Sequence, residues 1–152
     1  SLRPRSAPRR RRPCYVPRMP ATKTFRHTVR VPYAQVDIMG FVYYANYFIY
    51  FEMARAEMMR EAGLPYTELE KQGVMLPVVE AFCAYKSPAH FDDLLHIATR
   101  CTEIKGTRLR IEYEITRDGT LLVTGHTVHV CVSPQGKVLR PHPELRRLFV
   151  GE

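Results

Sequence analysis

Serine is scarce in this 152-residue chain, and the four that occur, Ser1, Ser6, Ser87 and Ser133, never stand in a GxSxG pattern. The strained nucleophile elbow of serine hydrolases is therefore excluded. Cysteine is equally thin: Cys14, Cys83, Cys101 and Cys131 lie far apart and form no CxxC pair. Such spacing argues against a disulfide framework or a zinc site, and the four read as buried free thiols in a reducing, cytoplasmic compartment. No apolar run approaches the roughly 18 to 20 residues needed to cross a bilayer, so no membrane partner is expected. The eight glycines nowhere cluster into a phosphate-cradling loop.

Acidic residues are missing from residues 1–20, which instead hold seven arginines (Arg3, Arg5, Arg9, Arg10, Arg11, Arg12 and Arg18) and five of the 12 prolines. That one stretch accounts for almost all of the net charge of +8, because the rest of the chain carries 16 basic against 15 acidic residues. The near-neutral body gives no reason to expect a nucleic-acid partner. A stretch with so few apolar side chains cannot offset its own ordering entropy, so residues 1–20 are expected to be a disordered tail. Three origins compete: an extension before a natural start at Met19, a targeting segment of plastid type, or a polybasic arm. Transit peptides are also Ser-rich and amphipathic, whereas this tail has only Ser1 and Ser6, so the extension is preferred.

Residues 21–152 read as one domain, and 45% hydrophobic residues supply a sizeable core. FRHTVRV alternates in polarity and ends at Pro32, giving a first strand in which Phe25, Thr28 or Val29, and Val31 can face inward. Residues 46–62 favour a helix stopped by Gly63 and Pro65. Its apolar residues spread so far round the wheel that it should be largely enclosed. YTELEKQG suggests a short second helix ending at Gly73. LPVVEAFCAYKS is strand material, with Val79, Ala81, Cys83 and Tyr85 alternating with Glu80, Phe82 and Lys86. LLHIATRCTEI, TRLRIEYEITR and TLLVTGHTVHVCV follow, and Asp118-Gly119 marks a hairpin between the last two. SPQGK makes a last tight turn, and PHPELRRLF closes with one helical turn. One very apolar helix followed by a long antiparallel meander predicts an α+β arrangement with the sheet wrapped round the helix.

Asp37, Gly40, Val42, Tyr44, Asn46 and Tyr47 form the pattern DxxGxVxYxNY, and Glu52 and Arg55 follow on the helix. With LPVVEAFCAYKSPAHFDDLL, this pattern resembles the 4-hydroxybenzoyl-CoA thioesterase branch of the hotdog-fold acyl-CoA thioesterases, which includes small bacterial enzymes associated with the Tol-Pal system. The resemblance spans about Phe25 to Pro141. It implies a long helix held in a curved antiparallel sheet, subunits paired as a homodimer or homotetramer, and active sites shared between them.

Hydrolysis of a thioester needs an attacking oxygen and a group that holds the charge developing on the carbonyl oxygen. Asp37 can supply the first, as a nucleophile or as the general base for a water. Free N–H groups at the start of the helix, around Val42 to Tyr44, can supply the second, aided by the helix dipole. The resemblance places the backbone N–H of Tyr44 against the thioester carbonyl, with Gly40 letting the turn approach. Many relatives have His at the position of Tyr44, and this sequence follows the hydroxybenzoyl enzyme, which has Tyr. Tyr47 is a candidate substrate contact, with core packing as its other reading. Glu52 either reads a polar acyl group or partners Arg55.

A coenzyme A nucleotide carries phosphates, and Lys105, Thr107 and Arg108 resemble the segment that meets it, although Gly106 stands where the hydroxybenzoyl enzyme has a second arginine. An ordinary charged hairpin is the alternative. No metal is expected: His126 and His129, three apart on a strand, point to opposite faces, and His90 and His96 read as surface or hydrogen-bonded groups. The reading is thus a cofactor-independent acyl-CoA thioesterase. Two alternatives stand beside it: the same chemistry on acyl carrier protein, and a non-enzymatic basic binding module using the arginine tail. Removal of residues 1–18 separates the last from the first two, since hydrolysis survives the cut and polyanion binding does not.

Overall fold

The structure is a computed structural model and describes residues 23–150. The expected tail and Cys14 lie outside the described residues. The elements follow the order strand β1 (Phe25–Arg30), helix α1 (Asn46–Glu61), helix α2 (Tyr66–Lys71), strands β2 (Val78–Tyr85), β3 (Leu94–Lys105), β4 (Arg108–Arg117), β5 (Thr120–Val132) and β6 (Val138–Leu139), and helix α3 (Pro143–Val150). The last helix runs for eight residues, longer than the single turn expected, because Leu145 is fully buried and anchors it.

All pairings are antiparallel, in the order β1-β3-β4-β5-β2, with β6 added to β5. The meander is closed by the expected hairpin: Asp118 and Gly119, with φ of 49° and 79°, form a two-residue loop between paired Arg117 and Thr120, as the strand twist favours. In β1 the inward residues are Phe25 and Val29, and Val31 just beyond is buried, while Thr28 faces out. This α+β sheet curves round α1, and the core forms where Tyr50, Phe51, Met58 and Met59 meet Leu95, Ile97, Leu109, Ile111, Tyr113 and Ile115. Each such side chain taken from water contributes roughly 1.5–3 kcal/mol.

Gly125 on β5 explains how closely helix and sheet approach. A Cβ there would stand 2.5 Å from the Phe51 ring and 2.6 Å from the Phe82 carbonyl oxygen. Its absence lets Phe51 lie flat on Tyr113, with ring centroids 4.3 Å apart and planes 9° from parallel.

The expected enclosure of α1 is corrected as well. The helix is not enclosed: it buries Tyr47, Tyr50, Phe51, Ala54, Arg55, Met58 and Met59, while Phe48, Ile49, Glu52 and Met53 are exposed. One sheet can cover only one side of a helix, and the apolar residues extend past that side. The edge strand β2 shows the same surplus, with Val78, Val79 and Phe82 exposed.

Candidate active site

Asp37 sits in a tight turn between β1 and α1. Its Oδ1 accepts the N–H groups of Met39 (2.9 Å) and Phe41 (3.2 Å), and its carbonyl accepts the Gly40 N–H at 3.0 Å. Gly40 has φ +81°, a conformation that costs glycine little and other residues more. One carboxylate oxygen is thereby fixed, and among the described residues the other has no hydrogen-bond partner. The turn is tied down by the Asp37 N–H donating to Phe41 O at 2.8 Å.

The segment that follows is held from two sides. Gln35 O accepts both the Tyr43 N–H (2.9 Å) and the Asn46 side-chain amide (3.0 Å), and the Gln35 side chain accepts the Tyr50 hydroxyl. Burial is the main cause, and neighbouring Tyr47 a second, that pushes the Tyr50 hydroxyl up to about 12, so it remains a donor. On the other side, the Val42 N–H donates to Ala89 O at 2.8 Å. The N–H groups of Val42 and Tyr43 are therefore engaged, which narrows the stretch read from the sequence as an oxyanion site. Among the described residues, no hydrogen bond uses the N–H of Tyr44 or Ala45.

Asp37, Met39, Phe41, Val42, Tyr43, Tyr44 and Tyr47 line one side of an open cleft of about 600 Å³, and Tyr85, Lys86, Ser87 and Pro88 line the other. Of the residues read as catalytic, Asp37, Val42 and Tyr44 meet at this cleft, Gly40 shapes its turn, and Tyr47 joins them. Tyr47 is itself buried, and that burial raises its hydroxyl above the ordinary tyrosine value.

The remaining sequence-read residues lie elsewhere. Glu52 is outside the cleft on the exposed face of α1, and it is not the partner of Arg55. The buried Arg55 guanidinium donates instead to Tyr66 Oη (2.8 Å) and Tyr113 Oη (3.0 Å). Lys105, Thr107 and Arg108 sit at the β3–β4 turn, while the cleft adjoins the other end of β3. Twelve residues of strand separate the two ends, about 35 Å at the usual rise. Even there they divide: Lys105 and Arg108 line one hollow with Arg110, and Thr107 lines another with Arg140 and Arg146. Within one chain the structure does not bring them to Asp37.

His126 and His129 do face opposite ways. His129 is buried and bonded to Thr127 Oγ1 (2.8 Å) and Leu76 O (3.0 Å). His126, on the other face, is mostly covered, stacked on Phe82 and held between Glu80 and Arg110. The far wall of the cleft, and Tyr85 above all, was missed in sequence. Tyr85 reads there as one more position of an alternating strand, and nothing local marks it.

A sequence profile of the thioesterase-like superfamily matches residues 31–149. An acyl-CoA thioester hydrolase of Escherichia coli, YbgC, is 37% identical over 114 residues, which is 74% of this chain and 85% of that protein. The crystal structure of a hypothetical protein from Aquifex aeolicus matches with TM-score 0.78 at 28% identity, covering 82% of this chain and 98% of the other. A 1,4-dihydroxy-2-naphthoyl-CoA thioesterase from Synechocystis matches with TM-score 0.76 at 25% identity, covering 83% and 95%.

Proposed function

The chain belongs to the thioesterase-like superfamily with the hotdog fold and is a thioester hydrolase, and from that premise we propose that it cleaves an acyl-CoA to the free acid and coenzyme A at the Asp37 cleft. The observation that carries this reading is the pairing of a half-free carboxylate with an unengaged N–H in one cleft: Asp37 holds one oxygen in its own turn, and Tyr44 lines the same wall.

Two routes use these groups. In one, the free oxygen of Asp37 attacks the thioester carbon, coenzyme A leaves as thiolate, and water hydrolyses the mixed anhydride. In the other, Asp37 takes a proton from water, the resulting hydroxide attacks, and the proton passes to the leaving thiolate. Both place negative charge on the carbonyl oxygen, to which the Tyr44 N–H at the entrance to α1 would donate a hydrogen bond. Such a donor is typically worth about 10²–10³ in rate.

A second copy of the chain completes the site. The uncovered apolar side of α1, with Phe48, Ile49 and Met53, and the apolar edge strand β2 both need a partner to leave water. The nucleotide residues Lys105, Thr107 and Arg108, remote from Asp37 in their own chain, would then serve the partner's cleft, and Glu52 would face the acyl group. The test is free-thiol release across short, long and aromatic acyl-CoAs. Turnover of at least one class is expected, and no release from any class would contradict the proposal.

A further inference from the structure

Tyr44 can serve a carbonyl oxygen only if its N–H keeps one direction, so the groups that fix its two peptide units matter. The unit before it, which carries the Tyr44 N–H, is fixed within the backbone, since its Tyr43 O accepts the Asn46 N–H at 2.9 Å. The unit after it is fixed from across the cleft: the Tyr85 hydroxyl donates to Tyr44 O at 2.9 Å. Tyr85 is the last residue of β2, 41 positions away in sequence. No other hydrogen bond among the described residues holds that carbonyl.

The Tyr85 ring is itself located by neighbours. It meets the Tyr47 ring edge-on at 5.4 Å and the Tyr44 ring at 6.5 Å, and Tyr47 is buried in the core. Burial, then contact with the Cys83 thiol, raises the Tyr85 hydroxyl above the ordinary tyrosine value, so the phenol keeps the proton it donates.

We propose that Tyr85 is a positioning residue, whose hydroxyl anchors the Tyr44 carbonyl from the opposite wall of the cleft and so completes the pair of bonds that keep Tyr44, and the N–H it presents, in place for the transition state. It touches neither the reacting carbon nor the attacking oxygen and acts only by holding Tyr44 from its carbonyl side. This rests on the functional reading above, in which Tyr44 supplies the oxyanion donor. Loss of the hydroxyl leaves the donor and its Tyr43–Asn46 anchor in place but frees the peptide on the other side of Tyr44, so the effect should be smaller than loss of the donor itself, whose removal costs about 10²–10³.

The experiment compares wild type, Tyr85→Phe and Asp37→Asn in the thiol-release assay, with thermal unfolding of each. Tyr85→Phe is expected to lower kcat by about 10-fold with KM within about twofold and Tm nearly unchanged, because an orienting bond matters most where charge develops. A purely structural role would move Tm, or KM and kcat together. If Asp37→Asn is inactive while Tyr85→Phe keeps wild-type kcat, the positioning role is overturned and the thioesterase reading stands. If Asp37→Asn retains wild-type turnover, the functional reading fails and takes the Tyr85 inference with it.

Discussion

Arg117, at the end of β4, reaches Asp93, just before β3, with Nη1 and Oδ2 2.7 Å apart. The same Nη1 also donates to Pro88 O at 3.2 Å, and Asp93 accepts the His90 N–H at 2.8 Å. This clasp holds the 88–93 turn, whose Ala89 carbonyl receives the Val42 N–H. One ion pair thus braces both walls of the cleft.

Arg117→Ala is expected to cost about 1–2 kcal/mol of stability, since it removes a charge-assisted bond that is only about a quarter exposed. The acid limb of stability should change too. Burial pulls the Asp93 carboxyl upward, but the His90 N–H and the Arg117 guanidinium outweigh it and hold it below the ordinary value. Stability from a lowered carboxylate is present above its unfolded value and lost as pH falls through the folded one. Denaturant midpoints measured from neutral to acid pH should fall less steeply in Arg117→Ala than in wild type.

His129 gives a second pH dependence, of different origin. Burial lowers its value to about 4 against the resisting Leu76 carbonyl, and the Arg55 charge adds to the lowering. The unfolded chain takes up this proton near pH 6.5 and the folded chain only near 4, so stability declines as pH drops through that window. The loss totals about 3 kcal/mol at 1.36 kcal/mol per unit. His129→Gln should flatten this part of the curve in urea unfolding at a series of pH values.

Gly125→Ala should destabilise by about 1–3 kcal/mol, because the new methyl group meets a buried ring and a backbone oxygen at 2.5–2.6 Å. Thermal unfolding checks this, and a variant as stable as wild type would show that Phe51 and the Phe82 carbonyl can move aside.

The meander, the long helix and the Asp118-Gly119 hairpin were legible because each rests on local pattern: period-two alternation, helix formers between stop signals, and a turn dipeptide. Asp37, Gly40 and Tyr44 could be read as candidates, and do line or shape one cleft, because they fall within ten residues of one another on and just after one turn. What stayed hidden depends on distant partners. Tyr85 touches Tyr44 only through the fold, and the Val42 N–H is taken by Ala89, far along the chain. The enclosure of α1 was misjudged because periodicity reports how much apolar surface a helix carries, not which chain covers it. Arg55 has hydroxyl partners where a helical neighbour, Glu52, offered the simpler pairing.

Oligomeric state tests the shared site. Light scattering should return a dimer or larger assembly, and a Met53→Glu variant, which places a charge on the uncovered apolar stripe, should weaken it and lose activity in step. A stable monomer with full activity would contradict the sharing of residues between copies.

The central claim is that Asp37 does the chemistry, and Asp37→Asn addresses it with little disturbance to the fold. An asparagine Oδ1 can still accept the Met39 and Phe41 N–H groups, so the turn and the assembly should persist. The account predicts unchanged unfolding and a loss of acyl-CoA hydrolysis of about 10²-fold or more. A folded variant with near-normal turnover would contradict it.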